Sequence, residues 1–171
     1  MKKALPDKIH IIGSVGSGKT TLARKLSKKY NIQYYELDNV VWERHKSGDI
    51  RRADEDRDKY LEQIVSTKRW IIEGVHSQHW VGTSFKNADL IIFLDTPYFV
   101  RAFRIINRYV RQLIGVESAN YTPSFKIFKD MFRWNRAFEK ESKPKILKMI
   151  QEDKSISIIV KDNLEIDKYF N

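Results

Sequence analysis

The stretch Gly13-Ser14-Val15-Gly16-Ser17-Gly18-Lys19-Thr20 follows a short apolar run at 9–12 and opens a helical pattern that reaches residue 30. Its spacing (Gly, any four residues, Gly, Lys, Thr) is that of a phosphate-binding loop. Glycines lack a Cβ, so the backbone there can take positive φ and wrap closely around an anion. The wrapped amides and the N-terminus of the following helix aim N–H donors and a positive dipole end at phosphate oxygens. Lys19 is then suited to bridge β and γ phosphates, and the Thr20 hydroxyl to ligate Mg²⁺. Gly13, Ser14, Gly16, Ser17, Gly18, Lys19, Thr20 and Thr21 are the residues expected to hold ATP.

At 171 residues the chain suits one domain, 1–171, with room for a sizeable core. The absence of cysteine excludes a disulfide framework, thiolate catalysis and zinc–cysteine sites. The N-terminal residues are charged with no apolar stretch behind them, and no run has the length of a membrane span. A soluble cytoplasmic protein is expected. The net charge of +10 favours polyanionic partners. It is concentrated at 98–148, where twelve Lys and Arg stand against four acids, a net +8.

Outward from the loop, strand and helix patterns alternate. Residues 8–12 read as a buried first strand and 20–30 as an amphipathic helix with Leu22, Ala23, Leu26 and Tyr30 on one face. A second strand is expected at 32–37, ending in Leu37-Asp38, and a turn at 46–49. A helix follows at 54–66, with Asp54, Glu55, Asp56 and Asp58 suiting its positive end. Residues 69–74 read as a third strand closed by Glu73-Gly74, 76–84 as irregular, and 88–94 as a very apolar fourth strand. Thr96 is a candidate cap, with Pro97 in the first helical position.

The helix expected at 97–114 has two faces. Phe99, Phe103, Ile106, Val110, Leu113 and Ile114 share one arc, and Arg101, Arg104, Arg108 and Arg111 lie nearly opposite. Gly115 ends it. After a polar break at 117–123, a helix over 124–140 mixes Phe125, Phe128, Phe132, Trp134 and Phe138 with Lys and Arg. Pro144 starts another helix, 155–160 is the last strand, and 163–170 closes the chain as a short helix. Five strands alternating with helices argue for an α/β fold with a parallel sheet and right-handed crossovers.

The order of these segments resembles a known family. The loop, Leu37-Asp38 with Trp42, Trp70-Ile71-Ile72-Glu73-Gly74, the run Ala88-Asp89-Leu90-Ile91-Ile92-Phe93-Leu94-Asp95 and an Arg-rich helix look like the adenylate-kinase-related P-loop proteins called DNA topology modulation proteins. The resemblance covers most of the chain. It implies a three-layer P-loop NTPase fold of nucleoside/nucleotide-kinase type, with strand order 2-3-1-4-5 and an Arg-rich helical lid at about 108–140. It also implies that Arg104 and Arg108 match the Arg-x-x-x-Arg pattern that begins such lids. Many nucleotide kinases carry Asp-Gly after the third strand, where this chain has Glu73-Gly74. The carboxylate survives, so a role near Mg²⁺ does too. The acceptor-binding motif of adenylate kinases is missing.

Phosphoryl transfer needs held phosphates, Mg²⁺ and positive charge on the equatorial oxygens. Lys19, Thr20 and the lid arginines Arg104 and Arg108 supply these, with Glu73 as a metal-site group. Asp38 either orients an acceptor hydroxyl as a base or caps a turn. Glu73 is alternatively half of an ion pair in the cleft. Arg51, Arg52 and Trp42 are candidates for the acceptor side, and His76 and His79 for pocket lining. Asp162 and Asn163 lie where related kinases pass a loop under the adenine. Two activities compete. The first is an ATP-dependent kinase acting on a nucleoside, nucleotide or similar hydroxylated small molecule. The second is a nucleic-acid-binding protein affecting DNA topology through the basic, aromatic 98–148 segment, with ATP as a switch or relic.

Overall fold

The computed structural model describes residues 4–45, 48–76, 78–117, 123–152 and 156–170. Residues 46–47 of the expected turn at 46–49, part of the polar break at 118–122 and the start of the last strand at 155 lie outside them. Five parallel strands form the main sheet: β1 (Lys8–Gly13), β2 (Tyr34–Glu36), β5 (Trp70–Gly74), β6 (Leu90–Leu94) and β7 (Ile156–Val160). They lie in the order β2-β5-β1-β6-β7, which is 2-3-1-4-5 counted along the chain among these five. Two strands of two residues each, β3 (Trp42–Glu43) and β4 (Ile50–Arg51), pair antiparallel beside it. The sequence signal missed them because two residues cannot show an alternation.

Strand periodicity sorts the core into two layers. Ile9 and Ile11 pack on one side with Leu22, Ala23 and Leu26 of α1 (Lys19–Tyr30). Ile12 packs on the other with Leu61 and Ile64 of α3 (Asp54–Ser66) and Phe85 of α4 (Gly82–Lys86). These side chains are almost wholly buried. Each Ile, Leu and Phe among them contributes about 1.5–3 kcal/mol relative to exposure. The acid-rich start and apolar face of α3 placed its ends as expected.

Three expectations need correction. The second strand stops at Glu36, and Leu37–Val41 form a short helix, α2. Leu37, Val40 and Val41 are its buried residues, a helical spacing. Leu37 closes over Gly74, where a Cβ would meet the Leu37 Cδ1 at 2.7 Å. Thr96 does not cap the next helix, and Pro97 precedes it in extended conformation (ψ 143°). The Thr96 hydroxyl is used elsewhere, as described below. Finally, Pro144 does not begin a separate helix. α6 (Phe125–Ala137) passes through a π-helical turn, Phe138–Ser142, into α7 (Lys143–Glu152). Proline has no N–H to give to the helix ladder, and Pro144 sits at the junction just after the π-helical turn.

A greater departure is α5 (Tyr98–Leu113). Its apolar arc faces solvent, while Arg101, Ile105 and Gln112 are buried. The arginine face is turned toward the phosphate loop. The ordinary rule that the apolar stripe faces the core fails here.

His10, at the centre of the sheet, is also buried without hydrogen-bond partners for either ring nitrogen among the described residues. Its ring stacks on Phe85 with centroids 3.9 Å apart. Burial pushes its pKa from 6.5 down to about 3. The fold thus holds His10 neutral, whereas the unfolded chain protonates it below about pH 6.5. Stability fully present above that pH drains as pH falls toward the folded value, by about 1.4 kcal/mol per pH unit. His10→Leu is expected to flatten the acid limb of a urea-unfolding profile measured from neutral pH downward. An unchanged slope would mean that the fold accepts a charged His10.

Candidate active site

The parallel pairing of β1 with β5 and β6 sets Ile12 beside Gly74 and Gly13 beside Leu94. The loop therefore emerges at the carboxyl edge of the sheet, between the ends of the third and fourth main strands, where open α/β sheets bind ligands. Gly16 and Gly18 have φ of 75° and 95°. A Cβ at Gly16 would sit 2.9 Å from the Arg101 carbonyl oxygen, and one at Gly18 2.8 Å from the Asn163 Nδ2. Both neighbours press the loop into shape from outside.

Glu73 lies at the mouth of this loop and is 3% exposed. The Thr20 hydroxyl donates to its Oε1 at 2.5 Å, and the Lys19 Nζ is 3.9 Å from its Oε2. Burial raises the Glu73 pKa, against the opposing pull of Lys19 and the Thr20 hydrogen bond. A hydroxyl that gives its proton to Glu73 turns its lone pairs outward, the arrangement a Mg²⁺ ligand needs. The Ser17 hydroxyl is buried with no hydrogen-bond partner among the described residues. Loop curvature, donor set and the Thr20–Glu73 pair fit a nucleotide phosphate with Mg²⁺. Lys19, Thr20 and the loop amides are the groups that would hold it.

From the side of α5, Arg104 closes on the loop. Its Nη1 donates to the Ser17 carbonyl at 2.9 Å and its Nη2 to Asp162 at 3.0 Å. The Asp162 carboxyl is held below its usual pKa first by the Leu164 backbone N–H and further by Arg104. Asn163 donates to the Gly18 carbonyl at 3.0 Å. The Thr96 hydroxyl lies 3.1 Å from the Ser17 carbonyl and 3.0 Å from that of Lys161, with one proton to share between them. Arg108, one turn beyond Arg104, pairs with Glu117 at 3.6 Å, and Arg111 meets the same residue at 3.3 Å. The structure thus brings Arg104 to the loop and leaves Arg108 a turn away.

Asp38, in the first turn of α2 just past the end of β2, is exposed and 3.2 Å from the His76 Nε2. That hydrogen bond lowers its pKa, with Lys19 and Arg44 adding to the effect, so the carboxylate is ionised at neutral pH. His76 also lies against Trp80, ring centroids 5.3 Å apart, and His79 opens a single 3₁₀ turn at His79–Val81. Arg52 turns away from Asp38: it donates to the Val40 carbonyl at 3.1 Å and to Glu43 at 2.5 Å, over the Tyr60 ring. Arg51 is exposed, 3.9 Å from Asp54. A hollow of about 280 Å³ is lined by Tyr34, Tyr35, Asn39 and Tyr60 among others, and Asp38 is not part of its lining.

Three loop supports had no motif behind them. Thr96 read as a helix cap. Asn135 of α6, wholly buried, accepts from the Ser14 hydroxyl at 3.5 Å across 121 residues of chain. Arg101 read as one of four arginines opposite the apolar arc, and it is fully buried and pairs with Glu139. Only Thr96 had a usable signal, since it follows a strand adjacent to β1. Among the described residues, no helix is long and apolar enough to cross a membrane.

The chain is similar in part to known proteins. The chain is 33% identical over 125 residues to a cytidylate kinase of Thermococcus kodakarensis, covering 65% of this chain and 60% of that one. It is 30% identical over 100 residues to the uncharacterized protein YqaC of Bacillus subtilis, covering 58% and 55%. It thus spans less than two thirds of the length of these curated relatives. Among solved structures, a gluconokinase from Sinorhizobium meliloti superposes with a TM-score of 0.54 at 17% identity, over 98% of this chain and 90% of that one. That likeness concerns the fold, which is the three-layer P-loop kinase type. Residues 9–119 match the model of the AAA domain family, and with its loop, sheet order and Thr20–Glu73 pair in place the chain belongs to that family of P-loop proteins.

Proposed function

We propose that the protein is an ATP-dependent phosphotransferase that moves the γ-phosphoryl group of Mg-ATP to a small hydroxylated acceptor, with nucleotides as the leading class. The observation that carries this reading is the convergence of Lys19 and Thr20 on buried Glu73 at the mouth of the loop. Bound Mg-ATP supplies the transferable group and the metal charge on its oxygens. Glu73 holds the Thr20 hydroxyl in the orientation that exposes its lone pairs. Lys19 presents its ammonium to the β and γ oxygens. Arg104, already anchored on Ser17, and Arg108 add guanidinium charge as α5 tightens over the loop. Ionised Asp38 orients the acceptor; where the attacking atom is a hydroxyl it takes up that proton, whereas a nucleoside monophosphate attacks through a phosphate oxygen that is already ionised.

The cytidylate kinases among the relatives make cytidine monophosphate the first acceptor to try. The order of segments keeps the resemblance to the DNA topology modulation proteins within this reading, without a bearing on the chemistry. The basic segment does little for a nucleic-acid face: Arg101 is buried, Arg104 serves the loop, and Phe128 packs against Tyr109 and Phe132. Incubation with Mg-ATP and a panel of nucleosides, nucleoside monophosphates and sugar-like acceptors, with ADP release as the readout, tests the proposal. Acceptor-dependent release is expected, first with nucleoside monophosphates. Background hydrolysis across the whole panel would contradict it.

A further inference from the structure

The outward face of α5 carries Phe99, Phe103, Ile106, Val110 and Leu113, at alternating steps of four and three residues. That is the spacing of a coiled-coil seam. All five face solvent, Phe99 at 83% and Phe103 at 68% exposure. Exposed Ile114 and Val116 extend the stripe past the end of the helix. Phe125 of α6 borders it, through the stack of Phe128 on Tyr109 (4.4 Å between centroids) and its own approach to Phe128 (6.1 Å). With an aromatic side chain worth 150–250 Å², the stripe offers roughly 700 Å² of apolar surface. A monomer's largest patch is about 300–600 Å², and a stable interface takes about 800 Å² from each partner.

We infer that this face joins two copies of the chain into a homodimer, with the two α5 helices packed antiparallel. The positions flanking the seam are Val100 and Asn107 on one side and Ala102 and Tyr109 on the other, none charged. Two like-charged copies can therefore close there without cation facing cation. The same flanks argue against a lipid surface, which an amphipathic helix meets with a basic row beside its apolar face. Here Arg101 is buried on Glu139, Arg104 lies on Ser17 and Asp162, and Arg108 and Arg111 meet Glu117. An antiparallel pair sets Ile106 against its own counterpart on the two-fold axis and Phe99 of each copy near Leu113 of the other. Bulky and slender ends then match, and opposite helix dipole ends lie together. The pairing leaves the loop side of both helices clear.

Sedimentation equilibrium of the full chain from micromolar to hundred-micromolar concentration is expected to give a monomer–dimer equilibrium. Ile106→Glu, at a position open to solvent in the single chain, should weaken association at least tenfold while leaving the melting temperature of the dilute monomer unchanged. The chain has no cysteine, so Ile106→Cys provides a second test that does not depend on the charge variant. Under mild oxidation it should yield a disulfide-linked dimer, while Glu62→Cys on the exposed side of α3 should not. A monomer throughout the range with no Ile106→Cys cross-link would overturn the inference. So would a monomer that sediments with vesicles containing anionic lipid, and so would equal cross-linking at both positions.

Discussion

Lys19→Ala is expected to lower phosphoryl transfer by about 10³-fold, with the melting temperature nearly unchanged. The size follows from what one preorganised cation contributes to a phosphoryl transition state, about 10³–10⁵ for an arginine finger and 10²–10³ for a single oxyanion donor. The loss should fall on kcat more than on KM, because the loop amides still hold phosphate. A second consequence separates this site from a generic anion pocket. Glu73 is already pushed upward in pKa by burial, and the Lys19 ammonium is the strongest opposing influence on it. Without the ammonium the carboxyl protonates more readily, and a protonated Glu73 cannot accept from Thr20 with the same strength. Residual activity of the Lys19→Ala protein should therefore rise with pH across the carboxylate range, more steeply than in the unaltered protein. Activity within a few-fold of the original, measured by a coupled ADP assay, would remove Lys19 from the chemistry.

Arg101→Ala is expected to cost about 3 kcal/mol of stability, which for a chain of this size is a drop of about 6–12 °C in melting temperature. Arg101 is wholly buried, its guanidinium 5.1 Å from the Phe138 ring centroid and 5.9 Å from that of Tyr98, and its Nη2 pairs with Glu139. Truncation leaves a void beside Phe138 and strips Glu139 of its closest cation. Its Nε and Nη1 have no hydrogen-bond partner among the described residues, so the charge is incompletely compensated. Arg101→Met keeps most of the volume and should cost less than about 1.5 kcal/mol. Denaturant melts of the two variants decide between packing and charge. Equal losses would make the ion pair, rather than the filled space, the source of stability. Since the Arg101 backbone abuts Gly16, Arg101→Ala should also weaken ATP binding measured by calorimetry.

These expectations draw on parts of the molecule that the sequence disclosed unevenly. The loop, the first strand and α3 were legible because spacing, strand composition and end charges all agreed locally. The order of the main strands came with the family resemblance and matches the sheet. Leu37 looked like strand because it closes the stretch 32–37 read as the second strand, yet its spacing with Val40 and Val41 is helical. The outward apolar face of α5 could not be read from its own periodicity, since a helical stripe has the same spacing whichever way it faces. What turns it is the pull of the loop on Arg104 and of the Phe138–Glu139 pocket on Arg101, contacts that span tens of residues of chain. The polar supports of the loop at Asn135 and Asn163 are long-range in the same sense. Of the proposed catalytic set, Lys19 meets Glu73 and Arg104 meets the loop, while Arg108 requires α5 to tighten.

The central claim is that the γ-phosphoryl group goes to an oxygen of a small-molecule acceptor and not to water. Phosphorus NMR of the protein with Mg-ATP and cytidine monophosphate, followed in parallel with the other acceptors of the panel, tests it most directly. The account predicts a new phosphorylated-acceptor resonance growing in step with ADP for at least one acceptor, and its disappearance in Lys19→Ala. ADP accompanied only by inorganic phosphate, at the same rate with and without every acceptor, would contradict it.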